Sequence, residues 1–496
     1  MNQVIDDLEL LVRSRYALIV LETYEEERAD AFLRHVATKL SIPLLCWSRS
    51  RGLRRGTSHL EPAIDGTAEP AAALSAVERE GSGIYHFPGF DAYLEDALIA
   101  AHVKDAVVYL ATRRGAIVVS GVDVRLPISL RAHAVTVRVP APAIEEYAAL
   151  LERVLRTLSA KMPIRVDITP ADRSRLVKNL MGLTMIEAEK IVSRILLEDA
   201  ALTERDVERV SSAKRQVIEQ GRLLEYEPAR QGMNDVAGLA GLKEWLAKRK
   251  LIVADPNRAE AFGLSFPKGV LLLGVPGCGK SLCAKSVARE WGLPLLRLDP
   301  ANLYDRYMGD SEKNFRRALQ TAERMAPVVL WIDELEKAFA SSGSEEDGGV
   351  SRRIFGSFLS WLQDRQGDVF VVATSNDVTT LPPEFIRKGR FDEVFFVDLP
   401  SPEVRREILS IHLAKRKQQG NGLDLDAVVR ATEGFSGAEL EQAIVAALYT
   451  AFARGSLLTT EILMEEVAET RPLARTMPER IAGLREWAKD RTVAAD

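Results

Sequence analysis

The stretch Gly274-Val-Pro-Gly-Cys-Gly-Lys280-Ser281 limits this chain more than any other, because it satisfies the pattern G-x-x-x-x-G-K-[ST]. An apolar run of strand length, Gly269-Val-Leu-Leu-Leu-Gly-Val275, leads into it. Small or apolar residues follow at helical spacing (Leu282, Ala284, Val287, Ala288), and Gly292 supplies a stop signal. Strand, glycine turn and helix in that order set the match apart from chance. Each fixed position has a physical task. Glycines let backbone N–H groups curl round a phosphate, and the helix N-terminus adds partial positive charge. Lys280 places a cation on the β and γ oxygens, and the Ser281 hydroxyl suits Mg²⁺.

Two further apolar runs end in polar residues. Val328-Val-Leu-Trp-Ile-Asp333-Glu334 reads as a buried strand delivering two carboxylates at its C-terminal end, where ligands of open α/β sheets bind. Asp333 would hold Mg²⁺, directly or through water, and Glu334 would polarise an attacking water. Val369-Phe-Val-Val-Ala-Thr-Ser-Asn376 ends in an amide that either orients the same water or closes the strand as a turn former. Arg387 and Arg390 are three apart on one side of a helical turn, and their planar donor forks suit a developing phosphoryl charge.

Bulk properties bound the setting. A chain of 496 residues is too long for one ordinary core, so two to four domains are expected. The net charge of −5 gives no global attraction to nucleic acid or anionic lipid. Cys46, Cys278 and Cys283 form no C-x-x-C pair or disulfide framework, which fits a reducing cytoplasm. Acidic residues interrupt the first fifteen positions, so no signal peptide is expected, and no apolar run is long enough to span a membrane. No H-E-x-x-H occurs, which argues against a fused zinc protease.

From these residues, 230–496 resemble an AAA ATPase module with a second region of homology. Asn234-Asp235-Val-Ala-Gly-Leu239 looks like the stretch that wraps adenine, and Asn376 falls at sensor 1. The resemblance assigns nucleotide contact to Asp235, Val236, Gly238, Pro276, Gly277, Cys278, Gly279, Lys280, Ser281, Leu282, Ile408, His412, Gly437 and Ala438, with no arginine at the Ser436-Gly-Ala turn. His412 has a second reading, an ordinary surface or core histidine. The resemblance also implies a ring, usually a hexamer, in which Arg387 and Arg390 serve the neighbour's ATP. Tyr307, Met308 and Gly309 match a pore-facing loop, though Tyr307 could instead pack in its own module. Glu345–Gly349 match a second pore loop, and Arg352 and Arg353 are candidates to face the neighbour. Cys278 is read as a small residue filling a free position, with thiol sensitivity as the alternative.

The first half resembles a worn copy of the second. Tyr16–Glu22 forms a clear strand, yet the loop after it, Thr23-Tyr-Glu25-Glu26-Glu27-Arg28, has no glycine or lysine and would repel a phosphate. Ala116–Ser120, Arg125-Leu-Pro127 and Val135–Val139 parallel Val369–Ala373, Thr380-Leu-Pro382 and Val394–Val397. Met181–Glu189 likewise echoes Glu433–Glu441. Such a tandem resembles a cyanobacterial and plastid-encoded AAA family with a nucleotide-blind first module. The expected fold is α/β: a RecA-like parallel sheet with a helical lid, preceded by a degenerate RecA-like module with its own lid. The expected divisions are 1–145 (degenerate sheet domain), 146–210 (lid-like), 211–232 (linker), 233–400 (ATPase domain) and 401–496 (lid and C-terminal helices). Three functions remain open: an ATP-driven remodeller of a protein client, a nucleotide-switched scaffold with slow hydrolysis, and a nucleic-acid motor, which the acidic balance disfavours.

Overall fold

Apolar runs with no polar alternation favour strands covered on both faces, and such strands form the centre of both halves. A computed structural model describes residues 2–56, 61–122, 124–219, 223–228, 231–299, 311–338, 350–365, 367–378, 381–387, 389–418 and 422–496. The chain divides into two units, residues 1–164 with 184–196 and residues 165–183 with 197–496.

The first unit runs α1 (Asn2–Arg13), β1 (Leu18–Glu22), α2 (Glu26–Leu40), β2 (Leu44–Ser48), β3 (Gly52–Arg55), α3 (Pro70–Glu80), β4 (Ile84–Pro88), α4 (Ala97–Ala111), β5 (Ala116–Gly121), α5 (Ile128–Arg131), β6 (Ala134–Arg138) and α6 (Ile144–Ser159). Its sheet has the order β3-β2-β4-β5-β1-β6, parallel except for β3. Successive β1 residues alternate between faces. Leu18 joins a core with Leu74 of α3 and Val103 of α4, whereas Ile19 and Leu21 join one with Leu8 of α1 and Phe32 of α2. Beyond α6 come β7 (Arg165–Asp167), α7 (Pro170–Leu180), α8 (Met185–Asp199) and β8 (Ala201–Thr203), with β7 and β8 paired in parallel.

The second unit continues with α9 (Arg205–Glu219), β9 (Leu224–Glu227), α10 (Ala240–Ala254), α11 (Pro256–Ala261), β10 (Gly269–Gly274), α12 (Lys280–Trp291), β11 (Leu295–Leu298), α13 (Ser311–Arg324), β12 (Val328–Ile332), α14 (Val350–Asp364), β13 (Val369–Ser375) and β14 (Glu393–Val397). Four helices follow, α15 (Pro402–Lys415), α16 (Leu425–Ala431), α17 (Gly437–Ala453) and α18 (Thr460–Glu469). The chain closes with α19 (Leu473–Thr476), α20 (Pro478–Ala488) and β15 (Val493–Ala494). The sheet order is β15-β14-β10-β13-β12-β11-β9, with β9 antiparallel. Side-chain caps start the lid helices: Ser401 for α15, Asp424 for α16, Ser436 for α17 and Thr459 for α18.

Both sheets share one topology. Counting parallel strands in chain order, the first lies between the fourth and the fifth in each sheet. Thus β2-β4-β5-β1-β6 and β11-β12-β13-β10-β14 correspond strand for strand. The echoed lid segments also share a capping box. Thr184 and Glu187 exchange backbone and side-chain bonds at 2.7 and 3.2 Å, and Ser436 and Glu439 do so at 2.7 and 3.4 Å.

The segment 211–232, expected to be a linker, holds the end of α9 and strand β9, which pairs with β11. The alternation of Leu224 and Tyr226 with Glu225 and Glu227 suits a half-covered edge strand, and Leu224 enters the core.

Candidate nucleotide site

The glycine turn lies between the end of β10 and the start of α12, on the carboxyl edge of the sheet. Gly279 has φ +91°, a left-handed conformation that aims the following N–H groups inward. Gly277 has φ +76°, and a Cβ there would lie 3.0 Å from Ser436 Oγ and 3.1 Å from Ala438 Cβ. Lys280 is 5% exposed, and its Nζ donates to the carbonyls of Gly274 and Val275 at 3.0 and 2.8 Å. Burial pulls its ammonium down to about 8, against the pull of Glu336, Asp333 and Glu334.

Asp333, just past β12, gathers the neighbouring elements. Its Oδ1 accepts Ser281 Oγ–H at 2.9 Å and Thr374 Oγ–H at 2.6 Å. Thr374 in turn accepts the Glu334 backbone N–H at 3.0 Å, so one hydroxyl joins β13 to the Asp333 carboxylate and to the backbone of Glu334. Asn376 donates its amide to Glu334 Oε1 at 3.4 Å and its backbone N–H to Glu336 Oε1 at 3.0 Å. Glu334 has φ +49°, unusual for a residue with a Cβ, and pairs with Lys337. An oxygen pair from Ser281 and Asp333 is the donor set a hard divalent cation takes.

The lid closes the other wall. The Ala438 N–H donates to the Gly277 carbonyl at 3.0 Å, tying the start of α17 to the phosphate turn. Ile408, Ile411 and His412 of α15 face Val236 and Asp235 across a cavity of ≈ 550 Å³, which also takes in Lys280, Ser281, Asp333, Glu334, Asn376, Gly437 and Ala438. That volume and mixed lining are of the kind that holds a nucleotide. The Gly232 N–H and Lys415 hold the Asp235 carboxyl below the usual carboxylate range. Half-buried His412 lies 3.2 Å from Glu441, and burial lowers its imidazole.

Comparison with known proteins matches this geometry. Residues 270–399 match the ATPase family associated with various cellular activities (AAA), and residues 422–466 match the AAA+ lid domain. Residues 4–139 and 145–221 match the N-terminal and second domains of SpoVK-like AAA ATPases. The uncharacterized AAA domain-containing protein ycf46 of Trieres chinensis is 34% identical over 97% of this chain and 96% of its own length. The chain belongs to the AAA ATPase family. Over the second half alone, the AAA chain is also similar to the proteasome-activating nucleotidase of Aeropyrum pernix, at 36% identity over 46% of this chain and 56% of that protein. The ATP-dependent zinc metalloprotease FtsH of Aquifex aeolicus is 33% identical over 47% and 37%. ATP hydrolysis is the activity of this AAA module.

The remaining candidate residues of the AAA module divide between the cavity lining and its surroundings. Gly238 and Pro276 are not in its lining; Gly238 donates its N–H to Glu407 Oε2 at 3.0 Å and lies against Val404. Cys278 and Leu282 do line it, and burial pushes the Cys278 thiol up to about 12, which keeps it protonated. Arg387 is exposed after the short turn Pro383–Ile386, and Arg390 donates to the Leu359 carbonyl. Tyr307, Met308, Gly309 and Glu345–Gly349 lie outside the described residues, as do the side chains of Arg352 and Arg353 on α14.

Thr374, Glu336, Lys415 and Glu441 were missed by reading the sequence. Thr374 carried a signal, a hydroxyl ending an otherwise apolar run two places before Asn376. In the first unit, the loop after β1 folds on itself: the Glu25 N–H donates to Thr23 Oγ at 3.0 Å. Arg28 binds the Pro140 carbonyl and pairs with Glu146 at 2.9 Å.

Proposed function

We propose that this ATPase works as a homo-oligomeric ring, six-membered as is common in the family, which uses ATP and Mg²⁺ to remodel or thread a protein client. The observation that carries the reading is the Asp333 node, where Ser281 and Thr374 both donate to Asp333 Oδ1 and Thr374 also accepts the backbone N–H of the adjoining Glu334.

In this reading Lys280 leaves its loop carbonyls to bind the β and γ oxygens. Ser281 and Asp333 hold Mg²⁺, which supplies charge neutralisation on the phosphates. Glu334 accepts a proton from the attacking water, and the Asn376 amide, already directed at Glu334, orients that water. Arg387 and Arg390 act on the neighbour's ATP, consistent with their place outside their own cavity. Adenine rests between Asp235–Val236 and Ile408–His412. The Gly277–Ala438 bond gives the lid a direct link to the phosphate turn, so loss of the γ-phosphate moves α17. Motion then passes to a pore loop at Tyr307, Met308 and Gly309. A protein client is favoured by the names of the relatives, a proteasome-activating nucleotidase and an ATP-dependent protease, and by a net charge of −5 that gives no global attraction to nucleic acid. Among the described residues no helix is long and apolar enough to cross a membrane.

One observation favours a second reading, a nucleotide-switched scaffold with slow turnover: Lys337 ion-pairs with Glu334 and restrains the proposed base. The two part company in one experiment. Glu334→Gln should retain ATP and hold client proteins, whereas Lys280→Ala should bind neither. Turnover at the parent rate by Glu334→Gln would overturn the assigned role. ATP-dependent oligomers that capture no client would favour the scaffold.

A further inference from the structure

The first unit buries a polar cluster with no part in nucleotide chemistry. Four elements supply it: Asp30 from α2, Cys46 from β2, His86 from β4 and Ser120 from β5. His86 is 1% exposed, Cys46 5% and Ser120 0%, whereas the Asp30 side chain is 27% exposed. His86 Nδ1 lies 2.7 Å from Asp30 Oδ1, and His86 Nε2 lies 2.7 Å from Ser120 Oγ. Cys46 Sγ is 3.7 Å from the same Asp30 oxygen and 3.9 Å from His86 Nδ1. A thiol, an imidazole and a carboxylate therefore face one point.

We propose that Asp30 Oδ1, Cys46 Sγ and His86 Nδ1 form a three-ligand site for a zinc-class divalent cation, with water in the fourth position. The triangle is nearly the right size. Tetrahedral bonds of about 2.0–2.3 Å set the sulfur edges at about 3.5 Å and the nitrogen–oxygen edge at about 3.3 Å. The observed sulfur edges need to shorten by a few tenths of an ångström, and the third edge to open by about 0.6 Å, a change within reach of small side-chain rotations.

The surroundings fit the same ion. With an ion on Nδ1 the Nε2–H would donate to Ser120 Oγ, 2.7 Å away, which would hold the ring in the ligating tautomer. Thiolate and carboxylate together balance a charge of +2, and the nearby Arg54 and Arg34 favour the thiolate. Coordination would replace the thiol proton, which passes to solvent as the ion binds. Sulfur and imidazole select zinc or cobalt over magnesium. The half-open Asp30 provides the approach. A serine hydrolase is the rival reading of Asp30, His86 and Ser120, and the fully buried Ser120 hydroxyl excludes it.

The site would also explain why α2 is retained. Its counterpart α12 holds the phosphate turn in the second module, whereas here Asp30 would anchor α2 to β2 and β4 through the ion.

The test uses the full chain, stripped with chelator and given one equivalent of Co²⁺, then Zn²⁺. We expect a sulfur-to-cobalt charge-transfer band that zinc abolishes, and about one zinc per chain retained on gel filtration. Cys46→Ser should lose the band, whereas Cys278→Ser should keep it, which separates this site from the nucleotide site. Asp30→Asn keeps the half-exposed position polar and should weaken zinc about tenfold or more while its metal-free melting curve matches the parent's. A missing band, or one that survives Cys46→Ser, overturns the proposal. So does equal zinc affinity in the parent and Asp30→Asn.

Discussion

Thr374 donates its hydroxyl to Asp333 at 2.6 Å while its oxygen accepts the Glu334 N–H at 3.0 Å. One side chain on β13 thus holds the Asp333 carboxylate and the backbone of Glu334, the two residues that follow β12. Thr374→Val keeps the shape and removes both bonds, leaving the Glu334 N–H without this partner. We expect about 1–3 kcal/mol lost from stability and a clear fall in kcat, with Thr374→Ser close to the parent. Thermal melts and steady-state ATPase assays check this; a fully active Thr374→Val would show that Asp333 and Glu334 need no such support.

Lys337 pairs with Glu334 three residues before it on the same short turn, and is itself largely exposed. If the pair restrains the proposed base, Lys337→Ala should raise basal ATP turnover by about two- to tenfold, equal to about 0.4–1.4 kcal/mol of barrier. Nucleotide affinity should be unchanged, since Lys337 does not line the cavity. Unchanged or lower turnover would remove the support for a restrained state.

Arg387 is exposed and absent from the lining of its own cavity. Arg387→Ala should leave ATP binding within about twofold and lower turnover about a thousandfold, in the range given by an arginine supplied in trans. Doping Arg387→Ala subunits with Glu334→Gln subunits should restore part of the activity, because wherever an Arg387→Ala pocket faces a Glu334→Gln arginine, that interface has both parts intact. Absence of any rescue in mixed assemblies that are shown to form would place Arg387 outside the interface.

The Lys280 ammonium, lowered to about 8 by burial, gives a pH signature. A lysine whose pKa is depressed from its ordinary value of 10.5 opposes folding below pH about 8, and that penalty fades as pH rises toward 10.5. Phosphates stabilise the charged form, so binding takes up a proton above pH about 8. ATP affinity should therefore be flat from pH 6.5 to about 7.5 and then fall up to about tenfold per pH unit. Calorimetry in buffers of different ionisation enthalpy measures the proton directly, and no uptake at pH 9 would contradict the assignment.

Much of the site was legible because its key groups sit at fixed local offsets from strands. Lys280 and Ser281 follow a glycine turn after β10, Asp333 and Glu334 follow β12, and Asn376 follows β13. A strand that must be buried on both faces has few alternatives, so its end is easy to place. The duplication was legible for the same reason, from matching apolar runs in matching sequence. The stretch 211–232 was harder, since charge and helical spacing conceal a four-residue edge strand whose only strong signal is alternation.

The sequence by itself therefore determined the phosphate turn, the two acidic residues after β12 and the duplicated sheet, all of which depend on spacing within a few residues. Only tertiary structure decided that Thr374 serves Asp333 across 41 residues, that Ala438 bonds Gly277, and that Asp30, Cys46 and His86 converge. In a parallel sheet the strands side by side in space are separated by whole helices in sequence, so their contacts are set by strand order and register. No local pattern encodes those two quantities.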